Sequence, residues 1–132
     1  ELWVLVDAQA RKLVPISRIP MPEGLALEEG QKLPAKVPPL RGGAPAGSFT
    51  VEEADLDVNG HMNNTRYVRR ALALLREAGD CPAFFPELRV TYSRECRLGE
   101  TISLAADRRP EGILLSGQGP EGKPRFGIFA QG

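Results

Sequence analysis

The sequence has 132 residues, 42% of them hydrophobic, and its 17 basic residues are balanced by 17 acidic ones. This length is enough for one globular domain with a real core, and the balanced charge argues against nucleic-acid binding through a basic surface. No apolar run approaches the roughly 20 residues that a membrane span needs. One histidine and two cysteines, Cys81 and Cys96, argue against a disulfide framework and a zinc site, so we expect reduced thiols, no metal and a cytoplasmic location.

The N-terminal third predicts a hairpin followed by a connector. Residues 2–6 and 11–16 are apolar and rich in β-forming side chains, with a polar stretch between them that can turn. Seven prolines lie between positions 15 and 47, so no long regular element is expected there. Because such a stretch is unusual inside a compact domain, we place a domain boundary in it. The chain begins without methionine or a signal peptide, and we expect a fragment of a longer protein. The predicted divisions are a truncated first domain at 1–16, a linker at 17–46 and a second domain at 47–132.

Residues 55–67 hold two aspartates, three asparagines and the only histidine of the chain. Residues 48–53 alternate weakly and predict a strand that enters this motif. Asn59 and Gly60 inside the motif predict a turn. The motif is therefore expected to be a loop between a strand and whatever follows.

A helix is predicted to follow the motif, over residues 64–78. Asn63 or Asn64 is placed to cap its N-terminus, and Gly79 favours a left-handed cap at its C-terminus. Apolar residues recur at helical spacing and predict one buried face, formed by Tyr67, Val68, Ala71, Leu72, Leu74, Leu75 and Ala78.

Four strands are predicted after the helix. They cover residues 87–96, 101–107, 113–118 and 125–131, where apolar and other side chains alternate between turn residues. Short turns between consecutive strands predict an antiparallel meander. A strand, a long apolar-faced helix and four antiparallel strands together predict an α+β fold with the sheet wrapped on the helix.

The motif offers groups that suit hydrolysis of an acyl bond. Asp57, Asn59 and His61 are spaced by two, so an extended segment would direct them to one side. Asn59 brings an amide donor, His61 can hold or move a proton near neutral pH, and Glu95 further along the chain could activate water. The same residues also fit plain turn chemistry with a structural histidine.

The two asparagines at the start of the helix have two readings of their own. Asn63 and Asn64 fit helix capping and substrate contact equally well. The positive end of the helix dipole beside them would suit a developing oxyanion.

Three segments carry a resemblance to a known family. They are residues 55–67, the Tyr-x-x-Glu-Cys stretch within 90–96, and the hairpin within 3–16. In their order along the chain, the three segments resemble the acyl-acyl carrier protein (acyl-ACP) thioesterases of the hot-dog thioesterase superfamily. The resemblance implies a hot-dog fold, in which an antiparallel sheet wraps a long central helix. It also implies two such repeats, of which this chain would hold the closing hairpin of the first and the whole second.

The resemblance also implies a site and a reaction. The family's catalytic residues match Asp57, Asn59, His61 and Glu95, and the cysteine that matches Cys96 has been proposed there as a nucleophile. We favour Glu95 over Cys96, because strand alternation would place the two side chains on opposite faces. The implied reaction is hydrolysis of fatty acyl-ACP thioesters in fatty acid biosynthesis, which releases free fatty acid and carrier protein without a cofactor.

Partners follow from the same resemblance. Acyl carrier protein is acidic, so Arg66, Arg69 and Arg70 on the helix are candidate docking residues, although an ordinary solvated helix face has the same pattern. A hot-dog domain is also expected to pair, either with the first repeat or with a second copy.

Two other functions compete with acyl-ACP hydrolysis. One is an acyl-CoA thioesterase of the 4-hydroxybenzoyl-CoA thioesterase type, against which the leading hairpin and the long linker argue. The other is a non-catalytic hot-dog half that completes a pseudo-dimer, against which the intact set of motif residues argues.

Overall fold

The computed structural model divides the chain into two compact units, residues 1–34 and 35–132. The described residues are 5–7, 9–10, 12–15, 18, 20, 35–38, 40, 42–79, 81 and 83–132. In the first unit, strand β1 (Leu5–Val6) pairs antiparallel with β2 (Leu13–Val14), which is the predicted hairpin. The outer parts of that prediction and most of the predicted linker before residue 35 lie outside the described residues. Assignment of the hairpin to a preceding repeat stays a prediction.

The second unit holds one helix and one five-stranded antiparallel sheet. The strands and the helix are β3 (Ala44–Thr50), α1 (Asn64–Glu77), β4 (Glu87–Tyr92), β5 (Thr101–Arg109), β6 (Gly112–Gln118) and β7 (Pro124–Gln131). The strand order is β3-β5-β6-β7-β4. This is the predicted α+β arrangement. In the part of the chain that the structure describes, no helix is both long and apolar enough to cross a membrane.

The meander prediction holds for β5, β6 and β7 but is wrong for β4. Strand β4 pairs with β7, for example Val90 opposite Ile128, and forms one edge of the sheet. It also ends at Tyr92 rather than at residue 96. The reason is that residues 93–100 do not join β4 to β5 as a hairpin, although they contain a turn at 97–100, but carry the chain from one edge strand to the other half of the sheet. We call residues 93–100 the crossing loop.

Strand β3 begins at Ala44, four residues earlier than predicted, and ends at Thr50. Proline lacks an amide hydrogen, but Pro45 is tolerated because β3 is an edge strand, and the register shifts between Pro45 and Gly47. The chain then makes a short 3₁₀ turn at Glu53–Asp55 before it enters the motif.

The helix follows its prediction closely. The Asn63 side chain accepts a hydrogen bond from the Thr65 amide and caps the N-terminus, and Gly79 follows the last turn with a φ of +75°. Tyr67, Ala71 and Leu75 are buried. Of the predicted apolar face, only Ala78 is exposed, and it is the C-cap residue just after the end of the helix.

Both faces of the sheet carry buried apolar side chains. The face toward α1 holds the larger core, which includes Phe49, Ile102, Leu104, Leu115, Phe126 and Ile128. Each such side chain stabilises the fold by about 1.5–3 kcal/mol when it leaves water. On the other face Leu114 and Phe129 pack against Val37 from the segment before β3. The helix and the sheet are therefore held as one unit, and this fixes the ends of the elements that carry the motif.

Candidate active site

The motif forms a tight turn rather than an extended segment. Asp57 Oδ1 accepts hydrogen bonds from the amides of Asn59 at 2.9 Å and of His61 at 3.2 Å. The Gly60 amide donates to the Asp57 carbonyl at 3.0 Å, and Gly60 has a φ of +75°, which glycine adopts easily. The expectation that Asp57, Asn59 and His61 lie on one side of an extended segment is therefore wrong. The Asp57 carboxylate helps to build the turn that presents His61.

His61 reaches Glu95 across the gap between the turn and the crossing loop. Its Nδ1 lies 2.6 Å from Glu95 Oε1, while 60% of the His61 side chain and 41% of the Glu95 side chain remain exposed. In the neutral imidazole, an Nδ1–H that donates to the carboxylate leaves Nε2 as an acceptor. The contact thus orients the imidazole and leaves the second carboxylate oxygen of Glu95 available to water.

An open pocket of about 330 Å³ lies at this pair. It brings together the predicted site residues Asp57, His61, Asn64 and Glu95. Asn59 and Asn63 are not among its lining residues, although both belong to the same motif. The full lining is Asp57, His61, Met62, Asn64, Tyr67, Tyr92, Ser93, Arg94 and Glu95.

The structure separates the two asparagines that the sequence left equivalent. Asn63 Oδ1 accepts from the Thr65 amide at 3.0 Å and from the Thr65 hydroxyl at 2.8 Å, so Asn63 is the helix cap. Asn64 lines the pocket, and its carbonyl accepts a hydrogen bond from the Tyr92 hydroxyl at 3.0 Å. The positive end of the α1 dipole therefore lies at the pocket.

Cys96 occupies a different environment from its neighbour Glu95. It is fully buried, and its amide donates to the Tyr67 hydroxyl at 3.0 Å. Burial raises the pKa of the Cys96 thiol to about 11. A thiol is a poor nucleophile until it ionises, so this environment suits a core side chain. Strand alternation is not the reason for the separation, because β4 has already ended at Tyr92.

Burial also affects the acidity of Tyr67, which lines the pocket. It raises the pKa of Tyr67 to about 12, and the Tyr67 ring packs edge-on against Tyr92 and Phe126. Tyr67 is thus a hydrogen-bonding wall of the site rather than a base.

The Arg70 side chain is held by two carboxylates beside the motif. Its Nε and Nη2 bind the two carboxylate oxygens of buried Asp55 at 3.1 and 2.7 Å, and its Nη2 also binds Glu52 at 3.0 Å. Burial by itself raises the pKa of Asp55, but hydrogen bonds from Arg70 and from the Glu52 amide outweigh it and hold the pKa below its usual value. Because these contacts occupy the Arg70 guanidinium, they argue against carrier docking by Arg70. Arg66 and Arg69 stay candidates for docking.

Sequence reasoning missed a buried arginine under the crossing loop. Arg125 binds both Glu100 and Glu121 at 2.9–3.1 Å and also contacts the Glu95 carbonyl oxygen. Only Glu121, four residues away, is a local partner of Arg125, and the other two lie 25 and 30 residues away, so the sequence does not show that these groups meet.

Within the described ranges no three histidine, cysteine, aspartate or glutamate side chains lie close enough to hold a metal ion.

Residues 44–119, more than half of the chain, match the acyl-ACP thioesterase C-terminal domain family. The chain is similar to a solved acyl-ACP thioesterase from Bacteroides thetaiotaomicron, with 17% identity and a TM-score of 0.69 over 96% of this chain and 52% of that one. It is similar to a Staphylococcus aureus hypothetical protein solved in complex with CoA, with 17% identity and a TM-score of 0.59 over 64% and 71% of the two chains. It is also similar to the probable thioesterase YbaW of Escherichia coli, with 17% identity and a TM-score of 0.51 over 64% and 77%. A comparison with curated proteins gives no significant match.

The similarity to solved thioesterases confirms the predicted hot-dog fold. The chain spans about half the length of the Bacteroides acyl-ACP thioesterase. The family match and the fold together support thioester hydrolysis as the class of reaction. On the match over residues 44–119, the chain belongs to the acyl-ACP thioesterase C-terminal domain family.

Proposed function

We propose that the protein containing this chain hydrolyses fatty acyl-ACP thioesters and releases free fatty acid and carrier protein, as a terminating step of fatty acid biosynthesis. The observation that carries the proposal is the contact of 2.6 Å between His61 and Glu95 at the pocket. A histidine that served only as part of the turn would not need to contact Glu95. The family match supplies the thioester as the substrate class.

Hydrolysis needs a base for the attacking water, donors for the oxyanion and a proton for the leaving sulfur. Glu95 takes a proton from water through the oxygen that His61 does not occupy. The water oxygen bonds to the thioester carbonyl carbon, and the carbonyl electrons move onto oxygen. When this intermediate collapses, the carbon–sulfur bond breaks, and the proton held by the Glu95–His61 pair passes to the departing thiolate.

The remaining motif residues support this pair. Asp57 accepts a hydrogen bond from the His61 amide and so positions the imidazole, although its carboxylate also borders the pocket. Asn64 and the N-terminal end of α1 are the proposed site of oxyanion stabilisation. Asn59, which is exposed and does not line the pocket, is assigned to the turn.

Carrier docking and pairing are the proposed interactions of the protein. Arg66 and Arg69 lie on the first two turns of α1, next to Asn64 at the pocket, and suit an acidic carrier protein. Among the described residues no strand pairs with the outer edge of β4, and Leu88 and Tyr92 are exposed on that strand, which supports pairing with another hot-dog unit. The proposed unit is either the first repeat of the full-length protein or a second copy of this chain. A cytoplasmic location stays a prediction.

The direct test is a substrate panel with the full-length protein that contains this chain. Release of free acid is measured with one fatty acyl group attached in turn to acyl carrier protein and to CoA. The proposal predicts faster turnover, as kcat/KM, of the carrier substrate. Turnover of acyl-CoA alone would favour the acyl-CoA thioesterase reading. A folded protein that cleaves neither would favour the non-catalytic hot-dog half.

A further inference from the structure

The guanidinium of Arg125 is saturated by its partners. The side chain is only 6% exposed, and its Nε and Nη2 donate to Glu121 at 3.0 and 2.9 Å. Its Nη1 and Nη2 donate to Glu100 at 3.1 Å each, and Nη1 also donates to the Glu95 carbonyl. An arginine has five N–H donors, and each of them has an acceptor here. Four bonds go to two carboxylates that fix the plane of the guanidinium, and the fifth goes to the main chain of the proposed base.

The backbone of Arg125 holds the same loop. Its carbonyl accepts hydrogen bonds from the amides of Ser93 at 2.8 Å and Arg94 at 3.1 Å. On the far side of Glu95, the Cys96 amide is held by the Tyr67 hydroxyl at 3.0 Å. The main chain on both sides of Glu95 is therefore fixed, although this part of the crossing loop belongs to no strand.

We propose that Arg125 is a positioning residue that sets the Glu95 carboxylate against His61, with Glu100 and Glu121 as the groups that orient it. The Glu95 side chain is partly exposed and has a short reach, so its place depends on where its backbone is held. Only a planar, forked donor bridges two carboxylates and a carbonyl at once, and a lysine would keep the charge but lose that geometry. The proposal rests on the proposed function, in which Glu95 is the base.

The test uses the single histidine of the chain as a reporter. The full-length protein is labelled with ¹⁵N-histidine only within the segment that this chain covers, where His61 is the single histidine. The ¹⁵N spectrum of its imidazole then shows which ring nitrogen carries the proton. The wild type is expected to show the proton on Nδ1. Arg125→Lys is expected to lose that signature, as is Glu95→Ala, which removes the acceptor, and to lower kcat about tenfold or more with KM within about twofold.

Two matched controls separate positioning from general stability. Arg109→Lys alters a surface ion pair with Asp107. Ile113→Ala weakens the core near the start of β6, whereas Arg125 lies beside the end of β6, where Gln118 pairs with Pro124. Both are expected to leave the imidazole spectrum and kcat unchanged, with the unfolding temperature recorded for every variant. If Arg125→Lys does not fold, Glu121→Gln loosens the guanidinium from a solvent-exposed position and is expected to give the same changes to a smaller degree.

The outcomes distinguish this proposal from the proposed function. An unchanged imidazole spectrum in a folded Arg125→Lys protein, or equal changes in Ile113→Ala, would overturn the positioning role. A wild type that lacks the Nδ1 proton would overturn it as well. The protein could also cleave no thioester while its imidazole spectrum still changes in Arg125→Lys. That result would support the positioning of Glu95 by Arg125 and contradict the proposed function.

Discussion

Two adjacent residues, Glu95 and Cys96, show how environment decides chemistry at the scale of single side chains. Glu95 lies at the pocket against His61, while Cys96 is buried against Tyr67. The sequence places both side by side in one motif, and strand alternation, the reason for favouring Glu95 there, does not apply because β4 ends at Tyr92. The burial of Cys96 favours Glu95 as the reacting group, because an ionised thiol is disfavoured where water is excluded.

The first prediction concerns Cys96. With a pKa of about 11, roughly one Cys96 thiol in a thousand is ionised at pH 8, so the native protein should react with thiol reagents far more slowly than a free cysteine. The rate is measured by mass spectrometry in a Cys81→Ser background, with the unfolded protein as the control. Rapid labelling of Cys96 in the native state would show that the thiol is accessible and contradict its assignment to the core.

The second prediction separates two roles of Asp57. Asp57→Asn keeps an oxygen that can accept the amides of Asn59 and His61, whereas Asp57→Ala removes it. If Asp57 acts by positioning His61, the asparagine variant should keep kcat within about tenfold and the alanine variant should lose more, with about 1 kcal/mol of stability. Steady-state kinetics and urea unfolding measure both effects. Equal, severe losses of kcat in both variants would instead assign the carboxylate charge a direct catalytic role.

At the scale of elements, local signals in the sequence predicted local structure well. The helix was predicted within one residue because its apolar spacing, its Asn63 cap and Gly79 all lie within one stretch. The pairing of β4 with β7 was not predicted, since nothing near residues 93–100 shows that the loop crosses the sheet. For the same reason the partners of Arg125 could not be found, as they meet only in the folded sheet. The family resemblance named His61 and Glu95 as site residues, but their contact was not predicted from the sequence.

The third prediction concerns the stability of the fold in acid, where the carboxylates paired with Arg125 and Arg70 become protonated. The hydrogen bond from Arg125 lowers the pKa of Glu121 from 4.5 to about 2, and the pKa of Asp55 is also lowered. A carboxyl with a lowered folded-state pKa stabilises the fold above its unfolded pKa, and that stabilisation is lost as the pH falls through the folded value. The free energy of unfolding should therefore decrease between about pH 4.5 and pH 2. The decrease should be smaller in Glu121→Gln, as measured by urea unfolding across this range. An identical pH profile in the variant and the wild type would contradict the assignment.

The fourth prediction concerns the Asp55–Arg70 pair beneath the motif. Asp55→Asn leaves the Arg70 charge with a weaker partner in a partly buried place and should cost about 2–4 kcal/mol. The matched surface change, Asp107→Asn beside Arg109, should cost less than about 1 kcal/mol. Chemical unfolding of both variants at pH 7 gives the comparison. Equal costs would show that the buried pair contributes no more than an exposed one.

At the scale of the whole molecule, the helix and the edge strand present the surfaces that other proteins can reach. Arg70 is engaged by Asp55 and Glu52, so the docking proposal narrows to Arg66 and Arg69. Arg69→Glu should raise KM for acyl-ACP by about tenfold while KM for a small thioester stays within about twofold, because charge reversal acts on the acidic carrier. Arg109→Glu, which reverses a charge far along the chain, serves as the control. Equal changes of KM for both substrates would remove Arg69 from the docking surface.

Glu95, held against His61, is the proposed group that activates water. The decisive measurement for this role is kcat/KM of the full-length protein on an acyl-ACP thioester, compared between Glu95→Gln and Cys96→Ala. The Glu95 variant is predicted to lose about a hundredfold or more while keeping its fold, and the Cys96 variant to stay within about tenfold of the wild type. An active Glu95→Gln protein beside an inactive, folded Cys96→Ala protein would contradict the claim and make the thiol the reacting group.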